Sequence, residues 1–166
     1  REKLGGYFDT YTGTWKKSAQ TEMYIRGVLV DDIKLTGKLD KVEFLDDAGG
    51  IHVVDYKTGK PKSRNEIEGK TKTSDGGMKR QLVFYKLLLN GYKNGKYRMK
   101  TGEIDFVEPN DRGKYKKEIF EIDGKEIQEL EECVRKSAEE IQKLAFWDKT
   151  CEDKNCEFCR LRRLMQ

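Results

Sequence analysis

No stretch of this 166-residue chain holds 18 consecutive apolar residues, which leaves no candidate for a membrane-spanning helix. The first residues, Arg1-Glu2-Lys3-Leu4-Gly5-Gly6, lack both an initiator Met and a signal-peptide pattern. The chain therefore reads as a soluble fragment excised from a longer protein, with no membrane partner. An excess of one charge is missing too: 34 Lys plus Arg face 30 Asp plus Glu, leaving +4 in a sequence that is 39% charged, against an average near a quarter. That balance permits a nucleic-acid partner without demanding one. There is no internal repeat and no interior linker long enough to separate a pair of domains, so 1–166 is expected to be one domain. Nothing in the sequence sets its oligomeric state. Cysteine is absent before Cys133, and Cys151, Cys156 and Cys159 crowd into a tail spanning 151–166. Such crowding suits a metal site or reduced thiols better than a disulfide framework, and it places the chain in the cytoplasm.

Most of what is present has the period of β-structure. Runs at 22–30 and 34–45, split by Asp31-Asp32, read as a hairpin. A second turn at Asp46-Asp47-Ala48-Gly49-Gly50 leads into Ile51-His52-Val53-Val54-Asp55-Tyr56-Lys57, completing an antiparallel three-stranded meander. Strict alternation places Ile51, Val53, Asp55 and Lys57 on one face, and in the preceding strand Thr36, Lys38, Asp40, Val42 and Phe44 on one face. Residues 1–20 are aromatic but aperiodic and are expected to cover one edge of the core. Residues 58–77 are so poor in hydrophobes that a mobile loop is expected, and Lys60, Lys62, Arg64, Lys70 and Lys72 make it a phosphate-facing flap or a merely solvated run. A buried helix over 78–92 follows, then strands at 97–108 and 114–122. Last comes an amphipathic helix of about six turns opened by a capping box, Asp123 and Glu126, with Cys133 on its apolar side as a small buried hydrophobe. The fold class is thus α/β (α+β), a central mixed sheet flanked by helices.

Asp40 in mid-strand, Asp55-Tyr56-Lys57 at the end of the next strand, and Gln81 with Tyr85 four residues on along a helix form a chemically coherent set. Converging carboxylates repel unless a cation lies between them, and oxygen ligands of this kind select Mg²⁺ or Mn²⁺. Such a metal polarises a phosphoryl oxygen and lowers the pKa of a water. Lys57 beside it would orient or deprotonate that water, or stabilise transition-state charge, and the residues leave these roles open.

In order and spacing, Gly37-Lys38-Leu39-Asp40, Val53-Val54-Asp55-Tyr56-Lys57-Thr58-Gly59 and Gln81-Leu82-Val83-Phe84-Tyr85 resemble the G-x-x-D, D-Y-K-T-G and Q-x-x-x-Y motifs of the PD-(D/E)XK nuclease superfamily. The resemblance is to its RecB-like branch, found in helicase-nucleases and CRISPR-associated adaptation nucleases. It implies a restriction-endonuclease-like core and a Mg²⁺- or Mn²⁺-dependent deoxyribonuclease, an exonuclease in a UvrD/RecB-type helicase-nuclease of DNA repair. DNA and covalently linked helicase domains would be its partners. The metal would lie on Asp40, Asp55 and the backbone carbonyl of Tyr56, Lys57 would be catalytic, and Gln81 and Tyr85 would support the site or the DNA. Glu22, before the first strand, is a further candidate ligand. A stand-alone CRISPR-adaptation-type exonuclease and a non-catalytic DNA-binding module on the same fold are the alternatives.

The sequence departs from that branch in two places. Relatives carry a metal-binding His on a helix upstream of the G-x-x-D strand; the one histidine here, His52, points away from Asp55 by alternation, and no upstream helix is legible. Relatives also staple the tail with four cysteines around an iron-sulfur cluster, whereas here Met165 stands where the last would fall after Cys151, Cys156 and Cys159. A thioether replaces thiolate poorly, so the expectation is an incomplete iron-sulfur site, Zn²⁺ on three thiolates completed by water, an upstream Cys or Cys133, or unmetallated thiols.

Overall fold

The computed structural model describes residues 2–145, 147, 149–153 and 155–165, excluding the side chains of residues 2, 3 and 165. Five strands form a single mixed sheet in sequence order: β1 (Ala19–Val30), β2 (Ile33–Phe44), β3 (Gly50–Lys57), β4 (Arg98–Phe106) and β5 (Lys116–Phe120). The pairs β1–β2, β2–β3 and β4–β5 are antiparallel, and β3–β4 is parallel. The expected meander is therefore β1 to β3. A parallel neighbour requires a crossover, supplied here by α2 (Arg64–Ile67) and α3 (Gly77–Gly91). α3 buries Leu82, Val83, Tyr85, Leu87, Leu88 and Leu89, and with Val42, Ile51, Val53, Ile104 and Phe106 of the strands it makes the core on one face of the sheet. Close packing of α3 on β2 depends on Gly37, where a Cβ would run into Leu88.

Alternation does not hold along the whole of β1 and β2. In β1 the buried positions change from Met23 and Ile25 to Val28 and Val30 across a bulge where Gly27 takes φ 77°. In β2, Leu39 and Val42 have opposite parity yet both are fully buried in the same core. The face therefore switches across Asp40 and Lys41, where the ladder to β3 ends at the Lys41–Val54 pair. Strict alternation along 35–44 is corrected accordingly.

Three further expectations are corrected. The 58–77 segment, largely exposed loop, contains one packed turn of helix. Ser63 and Glu66 close a capping box on α2, and Ile67, its single large hydrophobe, is fully buried in the core. The guanidinium of Arg64 lies 4.2 Å from the centre of the Phe120 ring. Upstream of β1 there is a helix, α1 (Glu2–Tyr11), where the sequence offers no apolar period. Its aromatics cluster instead: Tyr7 meets Tyr11 and Tyr115, and Phe8 meets Trp15. The last long helix, α4 (Gly124–Gln142), starts at the Asp123–Glu126 capping box as expected. Only Ile127 and Leu130 of α4 pack against the core, and Cys133 is exposed because the apolar stripe runs on past the edge of the domain. A short helix, α5 (Glu157–Met165), ends the described chain, and no helix among the described residues is long and apolar enough to cross a membrane.

Candidate active site

Asp55 lies near the end of the central strand β3 on the face packed by α3, where it is 1% exposed. A carboxylate there has to be satisfied by its neighbours, and four side chains close a ring that does so. The Tyr85 hydroxyl donates to Asp55 Oδ1 at 2.9 Å, and the Gln81 amide donates to the Tyr85 oxygen at 2.6 Å. The Lys57 ammonium donates to Gln81 Oε1 at 2.6 Å and stands 2.7 Å from Asp55 Oδ2 as an ion pair. The local reasons are simple. Two residues along a strand put Asp55 and Lys57 on one face, and four along a helix put Gln81 and Tyr85 in one row. The contact between strand and helix joins the two pairs. Lys57 sits beside Oδ2 without the alignment of a hydrogen bond, and that oxygen, buried, has no other partner among the described residues.

Asp40 stands one residue beyond the last β2–β3 ladder pair, and its Oδ2 accepts the backbone N–H of Tyr56 at 3.0 Å. The two aspartates are thus tied to consecutive residues of β3. Burial pushes the Asp55 carboxyl up from its ordinary value; Lys57 and Tyr85 pull it back, and the charge of Asp40 pushes it up again. Burial raises the Tyr85 hydroxyl too, followed by the charge of Asp55, so Tyr85 remains a neutral donor. Asp40, Asp55, Lys57, Gln81 and Tyr85 are therefore brought together.

Other candidates fall elsewhere. Glu22, at φ 56°, stands between Thr21 and Met23, which pair with Lys41 and Leu39, and so lies across from Asp40. Its carboxylate is 61% exposed and pairs with Lys38. His52 points to the opposite face, as alternation requires, with Nδ1 at 2.7 Å from Thr101 Oγ1. α1 lies on that opposite face as well, since the Tyr7 hydroxyl donates to Asp105 Oδ2. The upstream helix exists, but it neither carries a histidine nor faces Asp55. In the 58–77 segment, Lys60 pairs with Asp111, Arg64 with Glu68 and Glu118, and Lys70 with Glu68, so most of its basic charge is matched internally.

The sulfurs of Cys151, Cys156 and Cys159 lie within 4.8 Å of one another, and three corners of a zinc–thiolate tetrahedron are about 3.8 Å apart. Cys151 Sγ and Cys159 Sγ are 3.4 Å apart, and the Cys151 thiol is pushed up to about 11 by its hydrogen bonds to Cys156 and Cys159. Backbone N–H donation from Cys159 lowers Cys156. Cys133, on α4, is not in this group. The Met165 side chain lies outside the described residues.

Sheet, crossover helix and the position of Asp55 at the end of β3 define a nuclease-type α/β fold. The chain belongs to the PD-(D/E)XK nuclease superfamily, whose model matches residues 2–164, and its mixed five-stranded sheet flanked by helices is the restriction-endonuclease-like core. Two solved structures share the fold. SSO0001 is 17% identical with a TM-score of 0.50, over 95% of this chain and 65% of its own. A candidate exonuclease from Eubacterium rectale is 17% identical with a TM-score of 0.55, over 93% of this chain and 54% of its own. The chain thus spans about two thirds and about half of these structures. No curated protein matches it significantly.

Proposed function

We propose that this domain is a divalent-metal-dependent deoxyribonuclease of the RecB-like branch, with Asp40, Asp55 and Lys57 as its reacting centre. The observation that carries the reading is the ring Asp55–Lys57–Gln81–Tyr85, which ends at a buried carboxylate oxygen balanced by an ammonium alone. Oxygen donors from Asp40, Asp55 and the Tyr56 carbonyl form the kind of set that Mg²⁺ or Mn²⁺ takes, and the residues present fit it. When bound, the metal supplies Lewis acidity toward a phosphoryl oxygen and a water of lowered pKa. The chain does the rest. The Tyr56 N–H fixes the Asp40 carboxylate, and the Tyr85 hydroxyl fixes that of Asp55. Gln81 holds the Lys57 ammonium, at the end of a side chain that is 22% exposed. From there the Lys57 ammonium orients a water or stabilises charge growing on the phosphoryl group; to deprotonate the water it would first have to give up its own proton.

The finer reading is an exonuclease domain joined to UvrD/RecB-type helicase domains in a repair enzyme, with DNA as partner. Its test is cleavage of linear and covalently closed DNA with Mg²⁺ or Mn²⁺. The domain, assayed with its parent protein, is expected to degrade linear DNA from the ends and spare closed circles, with Asp55→Asn abolishing cleavage and Lys57→Ala strongly lowering it while both leave the circular dichroism spectrum intact. Wild-type rates in either variant sink the assignment. One observation favours the second reading, a non-catalytic DNA-binding module: no histidine and no third carboxylate joins Asp40 and Asp55 among the described residues. DNA binding without cleavage in either metal would establish it. For the tail we propose Zn²⁺ on Cys151, Cys156 and Cys159 in place of an iron-sulfur cluster; anaerobic reconstitution giving stoichiometric iron and sulfide would contradict this.

A further inference from the structure

β3 and β4 run parallel and stop together at the Lys57–Phe106 pair, so the loops that follow them leave the sheet side by side. The Val107 N–H donates to the Lys57 carbonyl at 3.1 Å, and from there residues 107–115 turn back into β5. Their tip is built to hold its shape. The Asn110 N–H donates to the Lys114 carbonyl at 2.8 Å and the Gly113 N–H to the Asn110 carbonyl at 2.9 Å, while Asn110 Oδ1 accepts the N–H groups of Arg112 and Lys114, each at 3.0 Å. Gly113 takes φ 73°, which glycine adopts without strain. These bonds fix where Arg112 and Lys114 leave the backbone, so little order remains to be imposed on binding.

The loop after β3 is tied to this turn. Lys60, three residues past Lys57 and so within about 11 Å of it along the chain, stands 2.5 Å from Asp111 Oδ1, and Lys116 donates to the Lys62 carbonyl at 2.9 Å. Four exposed cations thus gather here, Lys60, Lys62, Arg112 and Lys114, against two carboxylates, Glu108 and Asp111. Among the described residues Lys62, Arg112 and Lys114 make no ion pair. The side chains of the Lys60–Asp111 pair are 73% and 80% exposed, and a pair so open to solvent is weak and yields to competing ions. Farther along the same segment Arg64 and Lys70 are committed to Glu68 and Glu118 instead. A surplus of uncommitted cations selects a polyanion. The planar guanidinium of Arg112 suits a phosphate held through two parallel hydrogen bonds, and lysines on both loops suit phosphates repeated along a strand. We propose that these two loops clamp the DNA backbone beside Lys57, with Lys62, Arg112 and Lys114 on phosphates and Lys60 exchanging the Asp111 carboxylate for another. Asp111 is then a built-in competitor that the DNA displaces. That the polyanion is DNA rests on the nuclease reading, but the clamp needs neither metal nor cleavage.

Binding without turnover keeps the two apart. A fluorescein-labelled forked duplex, which offers single and double strand together, is titrated by anisotropy in EDTA over a range of KCl concentrations. Each phosphate contact adds about 0.9 (duplex) or about 0.7 (single strand) to the steepness with which log Kd rises with log [KCl]. Arg112→Ala and Lys114→Ala are each expected to weaken binding about three- to tenfold at low salt and to lower that steepness by roughly 0.7–0.9. Asp111→Asn, which frees Lys60, is expected to tighten binding a few-fold, roughly the worth of one exposed ion pair, and to lose that gain when combined with Lys60→Ala. Lys96→Ala removes the same charge just before the other end of β4 and should match wild type in affinity and steepness. Arg112→Ala indistinguishable from Lys96→Ala, Asp111→Asn no tighter than wild type, or wild-type protein that binds no DNA would overturn the proposal. Normal Mn²⁺-dependent cleavage with no change in steepness would sink the clamp alone. The expected changes without any cleavage would uphold the clamp and sink the nuclease reading.

Discussion

The two faces of β3 and β4 each bury a carboxylate beside a lysine and a tyrosine, yet they are built differently. Around Asp55 the partners come from one strand and one helix, at spacings of two and four. Around Asp105 they come from α1 and β5, with Glu103, His52 and Thr101 as neighbours drawn from β3 and β4. The first arrangement survives as a local pattern in the sequence; the second exists only once the sheet has closed. Access does not separate the two, since both carboxylates are buried and the Lys57 and Lys117 side chains are 22% and 27% exposed. What differs is the pairing, because Lys57 is held by the neutral Gln81 amide beside Asp55 whereas Lys117 is shared between the carboxylates of Asp105 and Glu103.

Substitutions sharpen that contrast, and the largest effect belongs to the Asp55 face. Asp40→Asn and Asp55→Asn are expected to remove detectable metal-dependent DNA cleavage, whereas Asp105→Asn should retain it in a gel assay at saturating metal. Lys57→Ala should lower the rate by roughly 10²- to 10⁴-fold, the range of a positioned acid, base or charge stabiliser. Next comes the segment that joins the faces: Ile67→Ala should cost about 2–5 kcal/mol in denaturant unfolding if α2 is packed as described, and under about 0.5 kcal/mol if 58–77 were merely a solvated loop.

The smallest expected effect is one of pH. Burial, the largest cause, raises the Asp55 carboxyl against the pull of Lys57 and Tyr85, with Asp40 adding to the rise. A carboxyl raised in the folded state favours folding below its unfolded value, near 3.9, and loses that contribution as pH climbs through the raised value. At neutral pH the ionised Asp55 is thus a cost that Asp55→Asn lacks. The variant's Tm should exceed wild type there and converge with it in acid. A Tm difference that grows on acidification would contradict the assignment. Asp105 is raised by burial as well, against Lys117 and Tyr7. At Glu103 burial also pushes up, but His52 and Lys117 outweigh it and hold the carboxyl low. The Asp105→Asn difference should therefore run in the same direction as that of Asp55→Asn, because Glu103 titrates in both proteins and drops out of the comparison.

Much of the fold was legible because its elements carry strong local signals. The three meander strands, the 78–92 helix and the capping box at Asp123 all reappear within a few residues of expectation. The same holds for the placement of Asp55, Lys57, Gln81 and Tyr85, whose contacts follow from period two and period four. What stayed hidden depends on tertiary context. α1 has no apolar stripe, since its aromatics meet Tyr115 from a distant turn. Ile67 is one hydrophobe in a polar run and gives no period at all. Leu39 and Val42 share a core only because the strand turns its face across Asp40. Cys133 sits in an apolar stripe that outruns the surface it would pack against. The Asp105 cluster has no spacing to read, because its members meet through register alone.

Manganese titration read by electron paramagnetic resonance tests the central claim most directly, because it reports the ion without depending on turnover. Wild-type protein should remove one equivalent of free Mn²⁺ from the six-line signal, Asp55→Asn should fail to do so, and Asp105→Asn should behave as wild type. Binding that persists in Asp55→Asn and disappears in Asp105→Asn would place the metal on the wrong face of the sheet and contradict the account.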